Sequence, residues 1–196
     1  MRHVNRPSIA GLFVLLSLCL TTQGAAAATI EFDLNGIESV GERGDSANTL
    51  LTLDLNFAGT QGPVEVSAIG WDVIIETLGN SWLSEATIGF EDSAGNALLD
   101  LRPGIDDTFA GTQSYLSDGN ALGQIPLGDL AFVLDDGLLI LNFHETFDDV
   151  AGMTDAIWNG SLSFQASPVP VPAAGLLLLS ALGALGLKSG ATRSRT

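Results

Sequence analysis

Strict two-residue alternation over residues 49–57 constrains this chain more than any other feature. In Thr-Leu-Leu-Thr-Leu-Asp-Leu-Asn-Phe, Leu51, Leu53, Leu55 and Phe57 fall on one side of an extended chain, and Thr52, Asp54 and Asn56 on the other. Only a strand with one face buried turns that order into a continuous apolar surface, because successive side chains of a strand point to opposite faces. Similar runs recur between turn signals. Residues 64–78 predict one long strand or two short ones around Gly70-Trp71. Residues 86–90 and 97–101 flank Glu-Asp-Ser-Ala-Gly-Asn, a hairpin turn by composition. Residues 130–134 and 138–143 flank Asp135-Asp136-Gly137, which predicts a further pair of strands. Residues 157–164 make the last strand, with Trp158, Leu162 and Phe164 in phase. The one candidate helix lies near residues 146–153. Many short strands, Gly/Asp/Asn turns and no helical periodicity predict an all-β antiparallel β-sandwich, with a jelly roll as one form of it.

This predicted sandwich occupies residues 29–166, a span of ordinary single-domain size. All 23 acidic residues of the chain lie in it, against two basic ones, Arg43 and Arg102, a formal charge of −21. Such a field opposes binding to nucleic acid or to an anionic membrane surface and favours cations or neutral polymers.

Both flanks differ from the domain in composition. Residues 1–28 carry a basic start (Arg2, His3, Arg6), an apolar run over residues 9–20, and small residues up to Ala26 and Ala28. That order describes a secretory signal peptide cleaved before Thr29. Cys19 lies inside the apolar run between Leu18 and Leu20, without the small preceding residue that a lipid-accepting cysteine requires. Once the signal is removed no cysteine remains, which excludes disulfides, thiol catalysis and Cys-ligated zinc.

Residues 167–196 form a Pro-rich step, an apolar run and a basic end (Lys188, Arg193, Arg195). Residues 173–187 would span about 22 Å as a helix, short of a hydrocarbon core of ~30 Å, which suits temporary residence in a membrane. The cations would sit on the cytoplasmic side, with the acidic domain outside. The stretch Val169-Pro170-Val171-Pro172-Ala173-Ala174, followed by the Leu/Gly/Ala run and the basic end, resembles the PEP-CTERM sorting signal in its V-P-x-P-A variant. The resemblance implies an apolar sorting helix in the membrane, processing by an exosortase-type enzyme, and delivery to the cell surface or exopolysaccharide matrix of a Gram-negative bacterium. A plain C-terminal anchor without processing is the alternative. Residues 80–90, with Trp82, and residues 155–164, with Asp155, Trp158, Gly160 and Leu162, are similar to the pattern of P-domain-like sandwiches. Those are accessory β-domains often found beside proteases; the likeness implies a fold and no catalytic residue.

His144 is the one histidine left after signal removal, so a multi-histidine metal site is excluded and a Ser-His-Asp triad would have to use it. Its place in Leu-Asn-Phe-His-Glu-Thr-Phe marks a solvent-facing strand position. The chain is therefore expected not to be an enzyme. A glycosidase pair of carboxylates would announce itself by a pocket holding a carboxyl of raised pKa.

Two features point to binding. Acidic turns at residues 42–45, Asp106-Asp107, Asp135-Asp136 and Asp148-Asp149 offer oxygens of the kind calcium needs, six to eight in number. Asp106 and Asp107 are the first choice of ligands, with Asp135 and Asp136 beside them. No EF-hand spacing is present, and turns are also where aspartate ordinarily sits in β proteins. The aromatic set divides in two. Trp71 and Trp158, embedded in apolar strands, read as core, whereas Trp82 and Tyr115, among polar neighbours, are the candidates for stacking on a glycan. The expected role is a structural or adhesive component of an exopolysaccharide, floc or biofilm matrix; a calcium- or carbohydrate-binding surface module is the alternative.

Overall fold

A computed structural model describes residues 26–57, 61–149 and 151–169. Its strands are β1 (Ala28–Ser39), β2 (Thr49–Asp54), β3 (Val64–Thr77), β4 (Ala86–Glu91), β5 (Ala97–Leu101), β6 (Thr112–Leu116), β7 (Gln124–Pro126), β8 (Phe132–Leu134), β9 (Leu138–Glu145) and β10 (Ala156–Pro168). One 3-10 turn, Gly128–Leu130, is the helical element among the described residues, and none of them forms a helix long and apolar enough to cross a membrane. Residues 1–25 of the expected signal peptide and residues 170–196, including Pro170, Val171, Pro172, Ala173 and Ala174 of the expected sorting motif, lie outside the described residues.

The strands make two antiparallel sheets. One runs β1-β10-β3 and is completed by β6, β7 and β8, which pair with different stretches of β3; the other runs β2-β9-β4-β5. The pairs are nested. First pairs with last, second with ninth, third with the sixth to eighth, and fourth with fifth. That is one long antiparallel ribbon, with the β4–β5 hairpin at its tip, rolled so that its strands fall in two facing sheets. The result is the strand order of a jelly roll.

Period-two patterning fills the space between the sheets. Val73, Ile75, Trp158, Leu162 and Phe164 from one sheet meet Leu53, Ile88, Phe90, Leu139, Leu141 and Phe143 from the other, all buried. Phe90 meets Phe164 edge-on with ring centres 5.9 Å apart, and Phe143 meets Trp158 in the same way at 5.8 Å. Each such pair contributes about 0.5–1.5 kcal/mol beyond the area it buries. Two of the three long strands, β1 and β3, keep their apolar faces inward by shifting phase once. In β1 the shift falls between Asn35 and Ile37, at Gly36 with φ +64°, after Ile30, Phe32 and Leu34. In β3 it separates Val64 and Val66 from Ile69, Trp71, Val73 and Ile75. Such bulges add one residue to one strand and restore the pattern beyond it.

Three expectations are corrected. The strands flanking Asp135-Asp136-Gly137 do exist, but they do not pair with each other: β8 joins β3, and β9 joins β2 and β4 in the opposite sheet. The acidic turn is a crossover between layers. The described residues between 146 and 153 form bends and turns rather than a helix. His144 does point away from the core, yet it is only 4% exposed. The loop of residues 40–48 lies across that face and places Arg43 over it, where the guanidinium pairs with Glu91 at 3.5 Å and with Asp100. A Cβ on Gly89 would stand 2.5 Å from Arg43 Nη2, so this glycine makes the berth. Burial first, and then the nearby guanidinium, hold the imidazole below its ordinary pKa.

Candidate functional site

The rolled ribbon brings four loops to one end: residues 40–48, 78–85, 102–111, and 146–149 with 151–155. Main-chain hydrogen bonds tie them together. Glu145 N–H donates to Gly41 O at 2.8 Å, Thr146 N–H to Glu85 O at 3.0 Å, and Leu83 N–H to Phe109 O at 3.0 Å. Ser84 N–H donates to Asp107 O at 3.0 Å, Leu78 N–H to Asp155 O at 2.8 Å, and Asp155 N–H to Ser39 O at 2.9 Å. Asn48 folds the first loop, accepting from the amides of Val40 and Gly41 and donating to the carbonyls of Gly41 and Glu42. In the second loop Leu83 is fully buried, and Glu85 Oε2 accepts from Trp82 N–H at 2.8 Å. That tight turn drives Leu83 into the core and turns Trp82 outward.

Trp82 is 46% exposed and Phe147 58% exposed, and together with Gly79, Asn80, Glu85, Ala110 and Asp149 they line an open cleft of about 530 Å³. A neighbouring hollow runs from Leu78, Gly79 and Asn80 to Asp149, Met153, Thr154 and Asp155. Indole and phenyl faces beside an amide and carboxylates are the parts that a sugar needs, since apolar ring faces stack and polar groups hold hydroxyls. A smaller hollow of about 110 Å³ around Gly70 sets Glu31 and Asp72 beside Trp71, but that ring is half-buried.

Beneath the cleft the chemistry is all acidic. Glu145 is 0% exposed; its carboxylate accepts from the hydroxyls of Ser39 and Ser81, and burial pushes its pKa up to about 8. Asp155 is 3% exposed, and its Oδ2 has no hydrogen-bond partner. Burial, followed by the charges of Asp148, Asp149 and Glu85, raises its pKa to about 6. Asp148 Oδ1 and Asp149 Oδ2 are likewise buried without a partner. Gly41 lets two further oxygens approach, because a Cβ there would lie 3.4 Å from Asp45 Oδ2 and 3.5 Å from Asp148 Oδ2. Neither cation of the described residues neutralises this group: Arg43 is held by Glu91 and Asp100, and Arg102 donates to Ser84 O.

The residues singled out from the sequence are distributed over the whole domain. Trp82 stands on the cleft. Tyr115 is half-buried at the same end, with its hydroxyl donated to Asp107 at 2.7 Å and its pKa pushed up by burial and then by that carboxylate. Its polar handle is therefore spent on the fold. Asp106 is exposed on the same loop. Asp135 and Asp136 are exposed at the far end, where Asp136 accepts from Leu138 N–H at 3.0 Å. Asp107 bonds to Ser84, which precedes β4, and Asp136 interacts with Ser93, which follows it, so the two acidic pairs face opposite ends of that strand. They do not form one site. Among the described residues no three His, Cys, Asp or Glu side chains are already gathered around one metal position. Val169, the first residue of the expected sorting motif, is the one of its residues described; its N–H donates to Pro63 O at 2.8 Å.

Sequence reasoning missed Glu145 and Asp155. Leu139, Leu141, Phe143 and Glu145 share one strand phase, so alternation alone places the glutamate inward. Asp155 has no such signal.

No protein-family model matches the chain, and no curated protein resembles it in sequence. Among solved structures, that of the infectious bursal disease virus Gx strain overlaps 74% of this chain and 33% of its own, at 14% identity and a TM-score of 0.36. The infectious bursal disease virus VP2 subviral particle gives 74% and 33%, 12% identity and a TM-score of 0.34. Dimeric latent PorU from Porphyromonas gingivalis gives 74% and 13%, 7% identity and a TM-score of 0.34. The chain thus spans about a third of the virus chains it overlaps, and overlaps of this size say nothing about what it binds.

Proposed function

We propose that this protein is an exported, non-catalytic surface or matrix component that grips exopolysaccharide at the loop end of its sandwich. The observation that carries the binding half is the cleft on which Trp82 and Phe147 stand exposed beside Asn80, Glu85 and Asp149. Sugars dock by stacking on such rings while amides and carboxylates take their hydroxyls, and a domain with two cations against 23 acids does not compete for polyanions. Export rests on the sequence of the two flanks: the signal segment of residues 1–28, and the Val169–Ala174 motif with its apolar run and basic end. Membrane residence of the tail and processing by an exosortase-type enzyme belong to the same proposal.

The test has two arms. Intact mass and fractionation of the native protein are expected to give a species starting near Thr29 and ending near residues 168–172, in surface or matrix fractions. A full-length chain that stays in the membrane would instead make it a plain anchored protein. Binding to the cells' own purified polysaccharide is expected to be saturable and to drop at least tenfold in Trp82→Ala. Unchanged binding would remove the cleft from the account.

One observation favours a hydrolytic reading: Asp155 lines the adjoining hollow with a raised carboxyl. Glu145, raised further, is sealed from solvent and cannot reach a sugar. Release of reducing ends from the polymer, abolished by Asp155→Asn, would replace binding by cleavage.

A further inference from the structure

Three buried carboxylate oxygens within eight residues of chain lack any hydrogen-bond partner: Asp148 Oδ1, Asp149 Oδ2 and Asp155 Oδ2. Buried oxygens of this kind are ordinarily satisfied, because an unpartnered one forfeits its hydration for nothing. Asp155 carries the argument furthest, since its side chain is nearly sealed and it feels the charges of Asp148, Asp149 and Glu85. Turn aspartates elsewhere in the domain do not behave this way: Asp92 and Asp54 each accept from amides two to four residues on. Nor does a cation of the protein answer the charge, as Arg43 and Arg102 are both engaged away from it.

We infer that Asp149 and Asp155, with Asp148 beside them, hold a hard divalent cation, calcium, at the hollow lined by Leu78, Gly79, Asn80, Asp149, Thr154 and Asp155. Asp149 and Asp155 already line this hollow together, and Asp45 Oδ2 lies near Asp148 across Gly41. The three carboxylates are not yet gathered around one point, so the ion takes its remaining oxygens from water and main-chain carbonyls and draws Asp149 toward Asp155. Calcium tolerates six to eight oxygens in irregular arrangements, whereas magnesium demands a near-ideal octahedron and gives up its water reluctantly. The site stands independently of the polysaccharide proposal, although it adjoins the Trp82 cleft through Asp149.

The experiment is calcium titration of the full chain in detergent after chelator treatment, followed by calorimetry and thermal melting. One saturable site is expected, with Tm raised roughly 8 °C at a hundredfold excess over Kd and restored by EGTA. Magnesium at the same concentration is expected to shift Tm by less than a quarter of that. Asp149→Asn with Asp155→Asn, which keeps shape and removes charge, is expected to weaken calcium at least tenfold while leaving the chelated protein folded. Asp135→Asn with Asp136→Asn is expected to leave it unchanged. No saturable calcium binding by the folded full chain, or binding that survives the Asp149/Asp155 pair of changes, would overturn the site.

Discussion

The two ends of the sandwich are built from the same residue type and put it in opposite states. At the far end, Asp92 accepts from the amides of Ala94 and Asn96 and from the Asn96 side chain, and these bonds, the side chain first, hold its pKa below the ordinary value. Asp136 is lowered in the same way by the Ser93 hydroxyl and then the Leu138 amide. At the loop end, Glu145 and Asp155 are raised by burial, and the partners that would stabilise their charged forms are too few. Position, and not composition, separates an aspartate that folds a turn from one buried with an unpartnered oxygen. A turn at the surface surrounds its carboxylate with donors and water. Four loops closing over a strand end remove the water and so disfavour the charge.

Breaking the loop end itself should have the largest effect. Leu83→Ala removes the plug that seats residues 78–85 in the core, and should cost about 2–5 kcal/mol in urea unfolding. Calcium binding should weaken with it, while the far-end turns keep their amide protection.

pH sharpens the contrast. Glu145, raised to about 8 when folded, keeps a proton that the unfolded chain releases near pH 4.3. The folded state therefore binds more protons between about pH 4.5 and 8, and stability declines as pH rises through that window. In chelator, Tm should be higher at pH 5 than at pH 8, and Glu145→Gln should flatten most of that difference. An equal slope in the variant would place the titration elsewhere. Asp92 and Asp136 act with the other sign: their lowered values add stability above the unfolded value near 3.9, which is lost as pH falls through the folded one.

A smaller effect is expected at the far turn. Asp92→Ala removes the acceptor for two amides and should lower Tm slightly at pH 7, with the loss shrinking as pH falls and the wild-type carboxylate is protonated. A loss that stays equal as pH falls would mean that charge plays no part in this turn. Least of all should Trp82→Ala change stability, within about 0.5 kcal/mol by thermal melting, because its ring faces solvent.

Much of the fold was legible in the sequence, and particular residues show where legibility stopped. Leu53 and Leu55, and Trp158, Leu162 and Phe164, are buried as their phase requires, and the β4–β5 hairpin closes as its turn composition predicts. β1 escaped notice because Gly36 breaks its alternation, and β6 and β7 because Thr-Gln-Ser-Tyr-Leu and Gln-Ile-Pro carry no apolar phase. Asp135-Asp136-Gly137 showed a turn but not whether the chain re-entered the same sheet or crossed to the other, a choice made by pairings more than fifty residues away. Alternation put His144 on the face away from the core, but the solvent exposure expected of it is not found, because Arg43 covers it from a loop a hundred residues earlier. Of the site, Trp82 and the Asp148-Asp149 turn were visible. Their convergence with Asp155 was not, because it is made by the rolling of the ribbon and by no local pattern.

The pairing of first strand with last also fixes an orientation. Ala28 lies opposite Ala166, and Ser39 opposite Ala156, so β1 begins and β10 ends at the pole away from Trp82 and Asp155. Twelve residues of strand at about 3.3 Å each separate the poles by roughly 40 Å. If the chain is held beyond Val169, as proposed, the tether pulls from one pole and the Trp82 cleft looks out from the other. On that proposal the domain is a short mast: load passes from the tail into β10, whose hydrogen bonds to β1 on one side and β3 on the other are sheared together, and the Trp82 face stands clear of the surface that holds it.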